Sequence, residues 1–193
     1  GPAGTQVLAD FGADVVKIER IDVGEIGRKQ APRVQGESAW FLANNRNKRS
    51  LTLDLRQPEG REVVYRMARE ADVVASNFRP GIMEKLGLGY DELSAINPRI
   101  IWAVASGYGQ TGPYRERVGQ DLLAQAMGGL VAMTGNREGP PTACGTYIAD
   151  YLGAMAFAQG IMLALAAREK TGRGQIVDST LLNIVIASHF PEN

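Results

Sequence analysis

The sequence predicts an α/β fold, a doubly wound, mainly parallel sheet with helices on both faces. Two observations carry it. Short β-branched runs recur along the chain, and helical segments of about ten residues separate them, the length that right-handed crossovers between parallel strands need. The 193 residues are 45% hydrophobic and 22% charged, enough to bury one sizeable core and too apolar for a disordered chain.

Pro2 at a first-turn position, with Val7, Leu8 and Phe11 following and Gly12 closing, predicts a short helix. Asp14-Val-Val-Lys-Ile-Glu19 reads as a strand, and residues 21–37, broken by Gly24, Gly27, Pro32 and Gly36, as a loop or irregular arm. Ser38 caps a brief helix through Ala43. Ser50-Leu-Thr-Leu-Asp-Leu55 alternates like a half-buried strand, and Pro58-Glu59 opens a helix with Val63, Val64 and Met67 on one face. Asp72-Val-Val-Ala-Ser76 is the next strand, Asn77-Phe-Arg-Pro-Gly81 a turn into a helix ended by Gly87, and Asp91–Ile96 a further helix before the strand Arg99–Ala105. Residues 107–118 and 134–146 are Gly/Pro loops around a helix at 119–127; a long helix covers 148–169. Gly172 and Gly174 lead into Gln175-Ile-Val-Asp178 and an amphipathic segment, Leu181–Ala187.

Charge and rare residues narrow the function. Lys plus Arg equal Asp plus Glu at 21 each, so no basic excess exists to neutralise a nucleic-acid backbone. One cysteine, Cys144, forbids an internal disulfide and points to a reducing, cytoplasmic setting; one histidine beside it cannot build a His/Cys metal site. The apolar stretch Ile148–Ala167 is long enough for a bilayer, but it carries Asp150, Gln159 and many small residues, so no membrane span is expected.

The same inventory constrains mechanism. His189 is the sole imidazole and lies four residues from the end, which disfavours Ser-His-Asp and Cys-His chemistry. No G-x-x-x-x-G-K-[ST] loop is present. Gly107-Tyr-Gly-Gln-Thr-Gly112 matches G-x-G-x-x-G, but Pro113 and charged residues follow it where a helix should begin. A loop with several positive-φ glycines is the better reading. A carboxylate remains as a nucleophile, already ionised at neutral pH. Asp150 is the best placed, in the first turn of the long helix, where the helix dipole favours its charged form; Gly153 on the same face leaves room for a substrate. A plain helix cap is the alternative for Asp150. Basic residues near strand ends (Arg28, Arg56, Lys85) and the Asn77-Phe78 turn could serve a phosphate-rich, adenine-bearing ligand or simply be solvated surface. Cys144 reads as a small loop or buried residue.

Six motifs in order then point to a family. Gly1-Pro-Ala3 with Gly12-Ala-Asp-Val-Val-Lys-Ile-Glu19, Asn77-Phe-Arg-Pro-Gly81, Asn97-Pro-Arg99, Gly107-Tyr-Gly-Gln-Thr-Gly-Pro113 and Thr171-Gly-Arg-Gly-Gln-Ile-Val-Asp178 together resemble the family III CoA-transferases over essentially the whole chain. The resemblance implies a Rossmann-like sheet. Members are longer, so residues 1–193 would be the amino-terminal part of the large domain, with a short stretch before Gly1 and a small domain and return segment after Asn193.

The resemblance also implies chemistry. Asp150 would attack an acyl-CoA carbonyl to give a mixed anhydride, CoA thiolate would convert it to an aspartyl thioester, and an acceptor carboxylate would complete the exchange. CoA and acyl-CoA are then substrates, with no permanently bound cofactor and no metal, and a small carboxylic acid is the other partner. CoA contacts carried over by resemblance are Arg28, Leu53, Arg56, Asn77, Phe78, Lys85 and Leu86. Racemases of the family hold a histidine where this chain has Gln120, so transfer is expected over racemisation, with Gln120 orienting a substrate carbonyl or packing. A non-catalytic CoA- or dinucleotide-binding module is the alternative of another class. Family members form interlocked homodimers.

Overall fold

Pro2 starts helix α1 (Pro2–Asp10), and Gly12, at φ +98°, turns the chain into strand β1 (Val15–Glu19). The computed structural model describes residues 1–189. After a 3-10 turn at Ile26–Lys29, a two-residue hairpin of β2 (Arg33–Val34) and β3 (Glu37–Ser38) forms the arm. Ser38 then caps α2 (Ala39–Asn45), its hydroxyl accepting from the Phe41 N–H at 3.2 Å. Strand β4 (Lys48–Thr52) runs parallel to β1, Val15 opposite Lys48 and Glu19 opposite Thr52.

The second half of the winding is larger. Helix α3 (Pro58–Ala68) leads to β5 (Val73–Ser76), short helices α4 (Ile82–Lys85) and α5 (Tyr90–Ile96) to β6 (Ile101–Ser106), and α6 (Asp121–Met127), α7 (Leu130–Met133) and α8 (Ile148–Thr171) to β7 (Ile176–Thr180). Helix α9 (Leu181–Ser188) follows directly. Strands β5, β6 and β7 pair in that order, all parallel. The parallel α/β architecture is therefore as predicted, but the main sheet comes in two pieces, β1–β4 and β5–β6–β7. A cavity of about 1900 Å³ is lined by residues of both pieces.

Strand β6 is the spine of the core, and its alternation explains the two-sided cover. Trp102 and Val104 join Val64, Ala68, Leu88 and Leu93 from α3 to α5 on one face, while Ala103 meets Phe157 and Ile161 of α8 on the other. The Trp102 indole N–H donates to the Leu88 carbonyl at 3.0 Å, so its polar atom is satisfied where the ring is buried. At the far end of α8, buried Arg168 donates to Asp72 Oδ1 at 2.7 Å and to the Arg99 carbonyl at 3.2 Å, holding the helix to the starts of β5 and β6. By length and composition α8 is apolar enough to cross a bilayer; here its buried residues face β6, β7, α1 and α9.

The boundaries that differ most from expectation do so for physical reasons. Strand β4 begins at Lys48 and ends at Thr52 instead of spanning 50–55, because its partner β1 runs out at Glu19. The Asp54 carboxylate then accepts the Arg56 N–H at 3.0 Å and turns the chain. The arm at 21–37 holds a hairpin too short to leave a periodic pattern. Helix α7 has one turn, below what periodicity detects. Strand β7 reaches Thr180 because Ser106 pairs with it.

Candidate active site

Two helix starts meet at the cavity. Helices α1 and α8 pack closely because Gly4 has no side chain: a Cβ there would lie 2.8 Å from the Ala154 carbonyl oxygen and 2.9 Å from the Phe157 ring. Lys48 anchors the first turn of α1, its ammonium donating to the Pro2 carbonyl at 2.7 Å, Thr5 Oγ1 at 3.0 Å and the Asn44 carbonyl at 2.8 Å. Burial lowers its pKa to about 8. Asn77, at the turn after β5, lies against Gly1 and lines the cavity together with Phe78 and Asp150.

Asp150 is the third residue of α8, behind an N-cap, Tyr147, that supplies no side-chain bond. Its backbone N–H donates to Asp121 Oδ2 at 2.9 Å. The acceptor that an N-terminal N–H requires thus comes from another helix, and the Asp150 carboxylate makes no hydrogen bond among the described residues. The plain-cap alternative for Asp150 does not hold. Its side chain opens to solvent in the cavity, yet partial desolvation raises its pKa, and the Asp121 charge raises it further. The dipole argument predicted the opposite sign; desolvation and a second carboxylate at the same helix start outweigh it.

Asp121 and Gln125 are both buried. Gln125 Nε2 donates to Asp121 Oδ1, and Gln125 Oε1 accepts the Cys144 N–H at 2.9 Å. Cys144 is thereby a loop residue held through its backbone. Gly153 lines the cavity beside Asp150 and is also tightly packed, since a Cβ there would meet the Leu181 side chain at 2.6 Å. Gly109 and Gly112 have φ of +90° and +89°, and Gly107 approaches Gly119 so closely that a Cβ would lie 2.4 Å from its Cα. The G-x-G-x-x-G match is a tight loop, with no helix opening on it.

A family model described as CoA-transferase family III matches residues 1–191. The chain belongs to this family. Among curated members of CoA-transferase family III it is 45% identical over 196 residues to a succinyl-CoA–D-citramalate CoA-transferase of Chloroflexus aurantiacus, aligning 100% of the chain with 49% of that protein. It is 43% identical to an acetyl-CoA:oxalate CoA-transferase of Acetobacter aceti, over 97% of the chain and 48% of that protein. A CAIB/BAIF family protein from Brucella suis superposes with a TM-score of 0.91 at 42% identity, over 96% of this chain and 50% of that one. The chain spans about half the length of the curated CoA-transferases it matches.

The seven positions expected to contact CoA in this family III chain fall into three groups. Asn77 and Phe78 line the cavity, with Phe78 47% exposed. Arg28 and Arg56 are engaged internally. Arg28 grips Glu19 with two bonds of 2.7 Å, stacks on Phe41 at 3.8 Å and holds the Glu19 carboxyl down to about 2. Arg56 pairs with Asp54 through two 2.9 Å bonds. Lys85 is exposed at the end of α4 with no acidic partner among the described residues, while Leu53 and Leu86 are half-buried against the core. Gln120 is exposed, and its side chain makes no hydrogen bond among the described residues. Three residues were missed. Arg20, exposed and lining the cavity just past β1, left the signal of a basic residue immediately after a strand. Asp121 and Gln125 left none, because a first-turn acid and a helical glutamine look ordinary until α6 packs on α8.

Proposed function

We propose that the protein carrying this chain transfers CoA from an acyl-CoA thioester to a free carboxylic acid, and that Asp150 is its nucleophile. The observation that carries the reading is the Asp150 carboxylate itself: unbonded, open to the cavity, and more basic than an ordinary aspartate because of its surroundings. The ionised oxygen attacks the thioester carbonyl, forming an aspartyl–acyl anhydride and releasing CoA thiolate. The thiolate attacks the aspartyl carbonyl, giving an aspartyl thioester and freeing the donor acid. An acceptor carboxylate reverses both steps: it displaces CoA thiolate to form a new anhydride, and the thiolate then takes the acceptor acyl group and restores Asp150. The thioester is conserved throughout, so no nucleotide hydrolysis is needed.

In this reading the chain is the amino-terminal part of a large domain, and the protein is cytoplasmic and homodimeric. The exposed Tyr151, Met155, Met162 and Leu163 on α8 are apolar surface that supports further packing there. Asn77 and Phe78 receive the adenine-bearing end of CoA, with Lys85 as a cation that has no acidic partner among the described residues. Arg28 and Arg56 meet a phosphate only by sharing or leaving their carboxylates, and Leu53 and Leu86 shape the wall behind them. Gln120, exposed beside the start of α6, is free to turn toward a substrate carbonyl. The test is to incubate the full-length protein with acyl-CoA, trap with hydroxylamine or borohydride, and map the modification by mass spectrometry. Label on Asp150 is the expected result. Label elsewhere, or α-proton exchange into deuterated water without CoA transfer, overturns it.

A further inference from the structure

Three segments converge on the start of α8, and two buried side chains join them. The first N–H groups of a helix have no intrahelical acceptor, and an acidic side chain at the third helical position is within reach to fold back and supply one, as in a capping box. Asp150 is spared that role because Asp121 Oδ2 already accepts its N–H at 2.9 Å. Asp121 is only 7% exposed, at the start of α6, and has no cationic partner among the described residues. Its second oxygen accepts Gln125 Nε2 from one turn along the same helix. Gln125, 1% exposed, spends its own oxygen on the Cys144 N–H at 2.9 Å and reaches the Thr146 carbonyl at 3.4 Å. Helix α6, the loop before Tyr147 and the start of α8 are thus stitched through one hydrogen-bonded relay, directional at every link.

We propose that Asp121 and Gln125 are positioning residues for the transfer reaction: their relay fixes the α8 start and its preceding loop so that the Asp150 carboxylate stays unbonded and aimed into the cavity. The proposal rests on Asp150 being the nucleophile. A loose helix start would let that carboxylate cap its own backbone, and each attack on a thioester carbonyl would first have to break the cap. Substrate affinity is little affected, because neither residue lines the cavity; the loss falls on the chemical steps.

Hydrogen-bond polarity supplies the test. In Asp121→Asn the new amide must donate toward Gln125, which then turns its oxygen to it and leaves an N–H facing the Cys144 N–H. In the double variant Asp121→Asn/Gln125→Glu the asparagine donates to one glutamate oxygen and the other accepts Cys144, so the links to Asp150 and Cys144 are restored with the charge moved along by one side chain, and the 3.4 Å contact to the Thr146 carbonyl alone is lost. In the full-length protein, with rates normalised to protein folded by circular dichroism, Asp121→Asn and Gln125→Leu are expected to lower kcat by about tenfold or more while KM for acyl-CoA moves by less than about threefold. Both slow the appearance of trapped label on Asp150, and the double variant recovers most of the loss. Wild-type kcat in both single variants, or a double variant no faster than Asp121→Asn, overturns the proposal. Label absent from Asp150 in the unaltered protein removes the nucleophile assignment and the relay's role with it, a distinct result read before any variant is made.

Discussion

At Asp150 an acid that is more basic than usual costs stability once it ionises. A carboxyl whose pKa is raised by folding binds its proton more tightly in the native state, so its contribution favours the fold at low pH and is lost as pH rises through the folded pKa. Asp150→Asn should therefore abolish transfer and trapping while leaving the melting temperature at pH 7 unchanged or higher, with the difference gone near pH 3; thermal melts at both pH values check it. The acid limb of kcat/KM should sit above the ordinary aspartate range, because only the ionised form of the proposed nucleophile attacks. The charged group that bears on it is Asp121 from α6. Since the Asp121 charge raises the Asp150 pKa, Asp121→Asn should move that limb to lower pH whatever it does to the plateau, and an unmoved or raised limb would contradict the assignment. Asp150 itself was legible as a first-turn acid after a glycine-rich loop. That its backbone is satisfied by a residue 29 positions earlier was not, because nothing local marks the pairing.

Helices α1 and α8 show how little tolerance their crossing has. Gly4→Ala places a methyl against a backbone carbonyl and a fully buried phenylalanine, and overpacking of this kind costs about 1–3 kcal/mol, measurable as a lower urea midpoint at constant m-value. Phe157→Ala, on the same helix, should cost roughly 3–5 kcal/mol because it opens a cavity beneath β6. The elements that position these contacts were readable in the sequence for identifiable reasons. Pro2 and Gly12 bracket α1, Ser38 starts α2, and the runs around Val15, Val73 and Ile101 are β-branched and flanked by turn residues. What escaped reading depends on pairing across the chain: β4 is trimmed by the length of β1, β7 is lengthened by β6, and the arm folds on a hairpin with two residues a side. Arg28 illustrates the same limit, since its commitment to Glu19 requires the arm to fold back over β1 before the two meet.

Across the whole molecule, stability is distributed unevenly between the two sheets. Strand β6 is paired on both sides and covered by helices on both faces, whereas β1 and β4 form a two-stranded sheet, marginal by itself. Amide hydrogens of Ile101–Val104 should be the slowest to exchange and those of β1 and β4 measurably faster, followed by mass spectrometry; uniform protection would refute the division. The two sheet pieces were not foreseen, because alternation along a strand says what it buries and not how many neighbours it has. The two indoles fall on either side of this division. Trp102 is locked in the core with its N–H bonded, and Trp40 packs near the arm, where a Cβ on Gly27 would come within 2.2 Å of its ring, and lines the cavity. Intrinsic fluorescence consequently has two channels: a blue, quencher-resistant signal from the interior that reports melting, and a solvent-sensitive one from the cavity wall. In Trp102→Phe the second is isolated, so a change in that signal on titrating CoA is the expected optical sign that the proposed ligand enters the cavity, read without a label and without turnover.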